Sequence, residues 1–257
     1  VFTESANPEN GIILASPNRI DESQIRDAKI KLSSSEQKNF HAITNKINKA
    51  FNINAQKTSV IGSWQDGAEN SMLAEIDKIS LDELKAVASL YGYAGEQKAV
   101  IYFKPNSEGK AGLYNFTTVA QDPEKLREDL LDLGIIYHTI VPTNELDHYR
   151  VYVFEENISQ EGIAATKSAA KSLNDGKDSP HITKPTFFKG DGAFIGDFGS
   201  RDEATKVYSK EIIDYMNKFP ESSAQIIDAL RFWRHNQDTE SPNEIREQQL
   251  KALRPQA

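Results

Sequence analysis

Along residues 58–154 the hydrophobic positions fall into short β-prone runs alternating with amphipathic stretches of helical period. Runs 58–64 and 70–76 flank Gln65-Asp66-Gly67-Ala68, and Asp-Gly between two such runs predicts a β-hairpin with Gly67 at positive φ. Ser80 with Glu83 three residues on is a capping-box pattern, and Leu81, Leu84, Val87, Ala88 and Tyr91 then recur at helical spacing. Runs 99–104 and 112–119 read as strands, and Asp122-Pro123 opens a second helix that Gly134 closes. Runs 135–141 and 148–154 follow as two more strands. The order is hairpin, helix, two strands, helix, two strands. It predicts an α+β fold: a ferredoxin-like β-α-β-β-α-β core, preceded by the hairpin, with both helices on one face of an open sheet.

The flanks differ. Residues 1–20 carry Asn-Pro, Asn-Gly and Ser-Pro-Asn around the short run Ile12-Ile13-Leu14 and read as a loosely attached surface arm. Ile25, Ile30, Leu32, Phe40, Ile43, Ile47 and Phe51 predict one short and one longer helix. After residue 155 the pattern is mainly helical: an Ala-rich stretch at 158–173, a polar linker, a Gly- and aromatic-rich run at 187–198, and helices opened by Ser200 and near Ala224. Three regions follow: 1–56 as arm and helices, 57–174 as the α+β domain, and 175–257 as a helical region with a Gly/aromatic hairpin.

Composition narrows the function classes. The 257 residues carry 30 Lys plus Arg against 38 Asp plus Glu, a net charge of −8, which argues against duplex DNA as a partner. Mean hydropathy is −0.57, and no run approaches the roughly 20 apolar residues of a membrane span, so no membrane partner is expected. Zero cysteines remove disulfides, thiolate zinc sites and Cys nucleophiles.

Three constellations carry chemistry on paper. Gly62-Ser63 at the end of one strand, followed by Glu75-Ile76-Asp77, is the spacing of a Mg²⁺-dependent nucleotidyltransferase: a Gly-Ser turn for a nucleoside triphosphate and two carboxylates on one strand face for the metal. That reading needs a helix between the two elements, where Asp66-Gly67 predicts a turn. Tyr102, Tyr114, Phe116, Tyr152 and Phe154 would suit base stacking if they shared an open sheet face, the arrangement of a single-stranded nucleic-acid-binding module. Trp233 between Arg231 and Arg234 forms an interface anchor if exposed, and the C-terminal helices would then serve oligomerisation. Gly190, Gly192 and Gly196 read as turns of a short hairpin rather than a dinucleotide loop. His138 and His148, on consecutive strands, are placed to pair across the sheet.

The motif Val60-Ile61-Gly62-x-Trp64-x-Asp66-Gly67-x-Glu69-x-Ser71, the helix ending Leu90-Tyr91-Gly92, and Leu133-Gly134-Ile135-x-Tyr137-x-Thr139 together resemble a small α+β module of large polyvalent proteins of tailed phages and mobile elements. The resemblance covers about residues 58–154. It implies a non-catalytic accessory or structural protein, without cofactor, located in a virion or the host cytoplasm, whose partners are other protein subunits, virion proteins among them. It makes Trp64, Asp66 and Glu69 candidate contact residues.

Overall fold

The computed structural model describes residues 7–16, 34–64, 67–120, 122–155, 168, 185–197 and 199–235. Eight strands close into one antiparallel barrel: β1 (Gly11–Ala15), β2 (Ala55–Trp64), β3 (Gly67–Ile76), β4 (Ala99–Pro105), β5 (Ala111–Val119), β6 (Tyr137–Pro142), β7 (His148–Glu155) and β8 (Thr186–Gly196). Around the barrel they run β1-β3-β2-β6-β7-β5-β8-β4, and β4 pairs back onto β1. The helices are α1 (Ser34–Ala50), α2 (Leu81–Ala94), α3 (Pro123–Asp132), α4 (Arg201–Lys218) and α5 (Ser223–His235). None of these is long and apolar enough to cross a membrane.

The open ferredoxin-like sheet expected from the sequence is therefore incorrect. The decisive element is β1. Ile12, Ile13 and Leu14 are buried on both faces, with Leu14↔Leu73 and Leu14↔Ile101 pairings that make this strand the stave between β3 and β4. An unalternating apolar run is what a strand buried on both sides looks like, and as a surface arm it was misread. At the other end, Gly190, Gly192 and Gly196 all lie in the single strand β8, so the hairpin expected there is also absent. A Cβ at Gly190 would sit 2.3 Å from the Lys104 carbonyl oxygen and 2.5 Å from the Phe103 ring, so β8 approaches β4 at a distance only glycine permits.

The strand order splits into two halves of matching connectivity. β4-β1-β3-β2 comes from residues 11–105, and β8-β5-β7-β6 from residues 111–196. Each half has its hairpin on one side and its first and last strands on the other. The regions 1–56, 57–174 and 175–257 each contribute staves to the one barrel. The position near residue 175, most of the Ala-rich stretch at 158–173 and the tail from 236 lie outside the described residues.

Local signals place the elements well. Ser80 and Glu83 form the reciprocal capping box of α2, Asp122 accepts from the Glu124 amide at the start of α3, Gly134 takes φ 83° after it, and Ser200 accepts from the Glu203 amide at α4. The outer face of the first half packs under α1, α2, α4 and α5, burying Ile13, Phe40, Ile47, Leu84, Tyr91, Tyr208 and Leu230 among others. The second half buries Tyr114, Phe116, Leu126, Leu130, Ile140, Val151 and Val153 between strands and α3.

Candidate functional site

Pairing register decides which side chains enter the barrel. Because alternate residues face opposite sides, the pairs Leu14↔Leu73, Thr58↔Leu73, Gly62↔Glu69, Gly62↔Thr139, Thr139↔Tyr152, Asn115↔Tyr152 and Leu113↔Phe188 fix one continuous inward set. Its apolar members Ile12, Leu14, Val60, Leu73, Phe103, Leu113, Tyr152 and Phe188 form a cluster of their own, with Ile101 and Phe154 against it. Rings of Phe103 and Phe154 meet edge to face across this space at 6.4 Å between centroids.

The interior is not closed to solvent. Ile101, Phe154 and Phe194 point inward and still carry accessible surface, although such rings and branched chains are ordinarily sealed in a filled barrel. Glu69 makes the same point with a polar group. It is exposed at the hairpin end of β3; desolvation raises its pKa, an effect that donation from the Ser71 hydroxyl at 2.8 Å opposes. Gly62 makes room for this carboxylate: a Cβ there would lie 3.0 Å from Glu69 Cγ.

Six residues further along β3, Glu75 faces the lumen as well and meets Arg150 of β7, with Arg150 Nη1 3.7 Å from Glu75 Oε1, the Arg150 side chain 19% and the Glu75 side chain 12% exposed. Arg150 Nη1 also donates to the Tyr152 hydroxyl at 2.9 Å and stands over that ring. Burial pushes the Tyr152 phenol up to about 12. Oε1 of Glu75 is sealed from solvent and accepts no hydrogen bond among the described residues. Two charges inside a barrel are costly to desolvate, and hydrophobic residues of the same volume would commonly be as stable, so this network is not explained by stability.

The sequence candidates fare unequally. Glu69 and Glu75 enter the lumen, whereas Asp77 lies beyond the end of β3 and is exposed, so the two acids of the expected metal pair share no face. Residues 67–76 are strand where the nucleotidyltransferase reading needs helix. Gly62 sits in the middle of a ladder, and Ser63 is a buried outward residue opposite His138. That reading and its Mg²⁺ and triphosphate are corrected on this ground. The positive-φ glycines among the described residues are Gly134 and Gly196, so Gly67, paired with Trp64 as the first residue of β3, does not occupy the expected turn position. The Trp64 side chain and Asp66 fall outside the described residues. No open face collects the aromatics. Tyr102, Tyr114 and Phe116 point outward and are buried, while Tyr152 and Phe154 point inward. The nucleic-acid module is thereby excluded as a sheet-face binder.

Trp233 is a core residue, 5% exposed, its Nε1 donating to the Ala94 carbonyl at 2.9 Å and its ring edge-on to Tyr93. It is no surface anchor, and exposed Arg231 and half-buried Arg234 flank it only in sequence. His138 and His148 do not pair. His138 is buried, bonded through Nδ1 to the Ile135 carbonyl, and burial holds its pKa down at about 4, while His148 lies opposite Val119 and bonds the Leu146 carbonyl. The residue sequence reasoning missed is Arg150. Its signal was a charged residue in the β-prone run 148–154 flanked by alternating aromatics, which reads equally as an outward solvated position.

The phage or mobile-element accessory role falls with the fold it was read from. The resemblance needed a self-contained α+β module over 58–154, but these residues make six of eight staves, and β1 and β8 from outside that range complete the barrel. No protein-family model matches the chain, and no curated protein matches it. Among solved structures, one described as a "Putative monooxygenase" from Fusobacterium nucleatum aligns over 71% of this chain and 91% of its own, at 9% identity and a TM-score of 0.22, a likeness too slight to carry an argument about fold or function.

Proposed function

We propose that the chain binds a small, largely apolar molecule inside its barrel, with the Glu75–Arg150–Tyr152 network as the polar end of the site. The observation that carries this is the accessible surface on Ile101, Phe154 and Phe194, apolar side chains that point into the lumen. An eight-stranded barrel sits at the size where the interior is either filled by side chains or holds one small ligand. Concave apolar walls with a few convergent polar groups are the usual composition of such sites. The sealed Glu75 oxygen without a hydrogen bond and the guanidinium beside it offer an acceptor and a donor side by side.

A neutral fluorescent probe, N-phenyl-1-naphthylamine, tests the reading. Saturable enhancement is expected with the native chain and not with Ile101→Trp, which fills the lumen with an indole while leaving the outer face untouched. Absence of enhancement, or enhancement unchanged in a folded Ile101→Trp variant, overturns it.

A further inference from the structure

On the outer wall of the barrel, away from the lumen, two buried polar side chains stand opposite each other with no hydrogen bond between them. Ser63 of β2 pairs in register with His138 of β6, and both point outward because their neighbours Gly62 and Thr139 point inward. They are 5% and 4% exposed, and Ser63 Oγ and His138 Nε2 are sealed from solvent without a hydrogen-bond partner. The Ile135 carbonyl, 2.7 Å from Nδ1, accepts the single N–H of the neutral ring, so a second proton has to enter at Nε2. Helix α3 covers this face through Leu126 and Leu130, which cluster with Ile135, Ile140, Val151 and Val153. It also brings a cation, the Arg127 guanidinium, whose charge bears on the ring.

We infer that α3 is an acid-released cover: protonation of His138 lifts the helix from the barrel wall while the strands beneath stay paired. Under the closed helix a protonated ring sets a new N–H, with nothing to accept it, in a sealed seam beside a second cation. Its surroundings do not offset that. Ser63 of β2 and the Ile135 carbonyl carry no charge, Val151 and Val153 of β7 are apolar, and the other charged residues of α3, Glu124, Lys125, Glu128, Asp129 and Asp132, are exposed. With α3 lifted, water reaches Nε2 and the ring takes the proton, so acid favours the lifted state. Burial, opposed by the Ile135 hydrogen bond and reinforced by Arg127, holds the covered ring at about 4 against 6.5, and the linkage therefore acts as pH falls from about 6.5 towards 4. The helix is the element free to move. Its buried residues are Leu126 and Leu130, whereas β6 is tied by ladders to β2 on one side and to β7 on the other.

Hydrogen exchange of the full chain tests this, read by mass spectrometry on peptides from α3 and from β7 at about pH 7 and about pH 5, both above the range in which model carboxylates titrate. After correction for intrinsic exchange, α3 is expected to open more readily than β7 at either pH, and its opening constant to rise about twentyfold at the lower one. His138→Gln should remove that rise. Arg127→Gln, which keeps the ring and takes away the neighbouring cation, should reduce it, and this variant carries the test if His138→Gln does not fold. An α3 opening constant indifferent to pH, or a rise that survives in folded His138→Gln, overturns the inference. So does exchange of α3 and β7 with one common opening constant, because the ring is then exposed by unfolding of the whole barrel and not by release of the helix.

Discussion

The two halves of the barrel share one connectivity and carry very different loads. Residues 11–105 lay down β4-β1-β3-β2 and cover it with α1 and α2, to which the chain later adds α4 and α5. Residues 111–196 lay down β8-β5-β7-β6 and, among described elements, pack only α3 against it. The same topology thus supports a large jacket core on one side and a small one on the other. Inside the barrel the division is chemical instead: the first half supplies Glu69 and Glu75, the second supplies Arg150 and Tyr152, and the network at the polar end forms only when the halves are closed on each other.

The largest expected effect tests the unequal jackets. Leu84 and Leu130 are both fully buried leucines, the first under the larger cluster and the second under α3. Leu84→Ala should cost about 4–5 kcal/mol and Leu130→Ala about 3, because a site walled in on more sides collapses less around the cavity. Equal shifts in denaturant midpoint would show that the halves are equally well packed.

His138 belongs to the lighter half and gives that half a pH signature. Its ring titrates at about 4 in the fold against 6.5 unfolded, so between these values the unfolded chain binds the proton and the native chain does not. The stability is present above about pH 6.5 and is lost as pH falls towards 4, to the extent of about 3 kcal/mol. Replacing it, as His138→Gln, should flatten this part of the stability–pH curve measured by urea midpoints, and an unchanged slope would remove His138 as its source.

On the heavier side, Trp233→Phe removes one buried hydrogen bond and leaves the Ala94 carbonyl without this donor. A loss of about 1–2 kcal/mol is expected in thermal or denaturant unfolding. No loss would mean that α5 contributes area alone. Smallest is the cap of α2: Ser80→Ala should cost about 1 kcal/mol by breaking the capping box, measured in the same way.

Where structure is made by neighbours in sequence, the reading succeeded and failed for local reasons. The three caps at Ser80, Asp122 and Ser200 were legible because a side chain two or three residues from an amide has few alternatives. The β2–β3 hairpin was legible from two β-prone runs, but Gly67 was placed in its turn when it is the first paired residue of β3. Of the site, Glu69 and Glu75 were singled out, for reasons the structure does not keep, as contact residue and metal ligand. Their shared inward orientation was available from the even spacing along one strand. Arg150 had no such signal, since a charge in a β-prone run reads as a solvated face unless the strand is known to have no solvated face.

By itself, then, the sequence determined elements, caps and the in-or-out alternation within each strand, all set by sterics and hydrogen bonds over a few residues. Only tertiary structure decided that the sheet closes. Closure depends on β1 finding β3 and β4 across some sixty and ninety residues of chain, and no periodicity encodes a partner at that distance. It turned Ile12-Ile13-Leu14 from an arm into a stave, and one sheet face into an enclosed space. Register across the closing pairs then brought Glu75 and Arg150 together, a consequence of geometry that the residues on either strand do not contain.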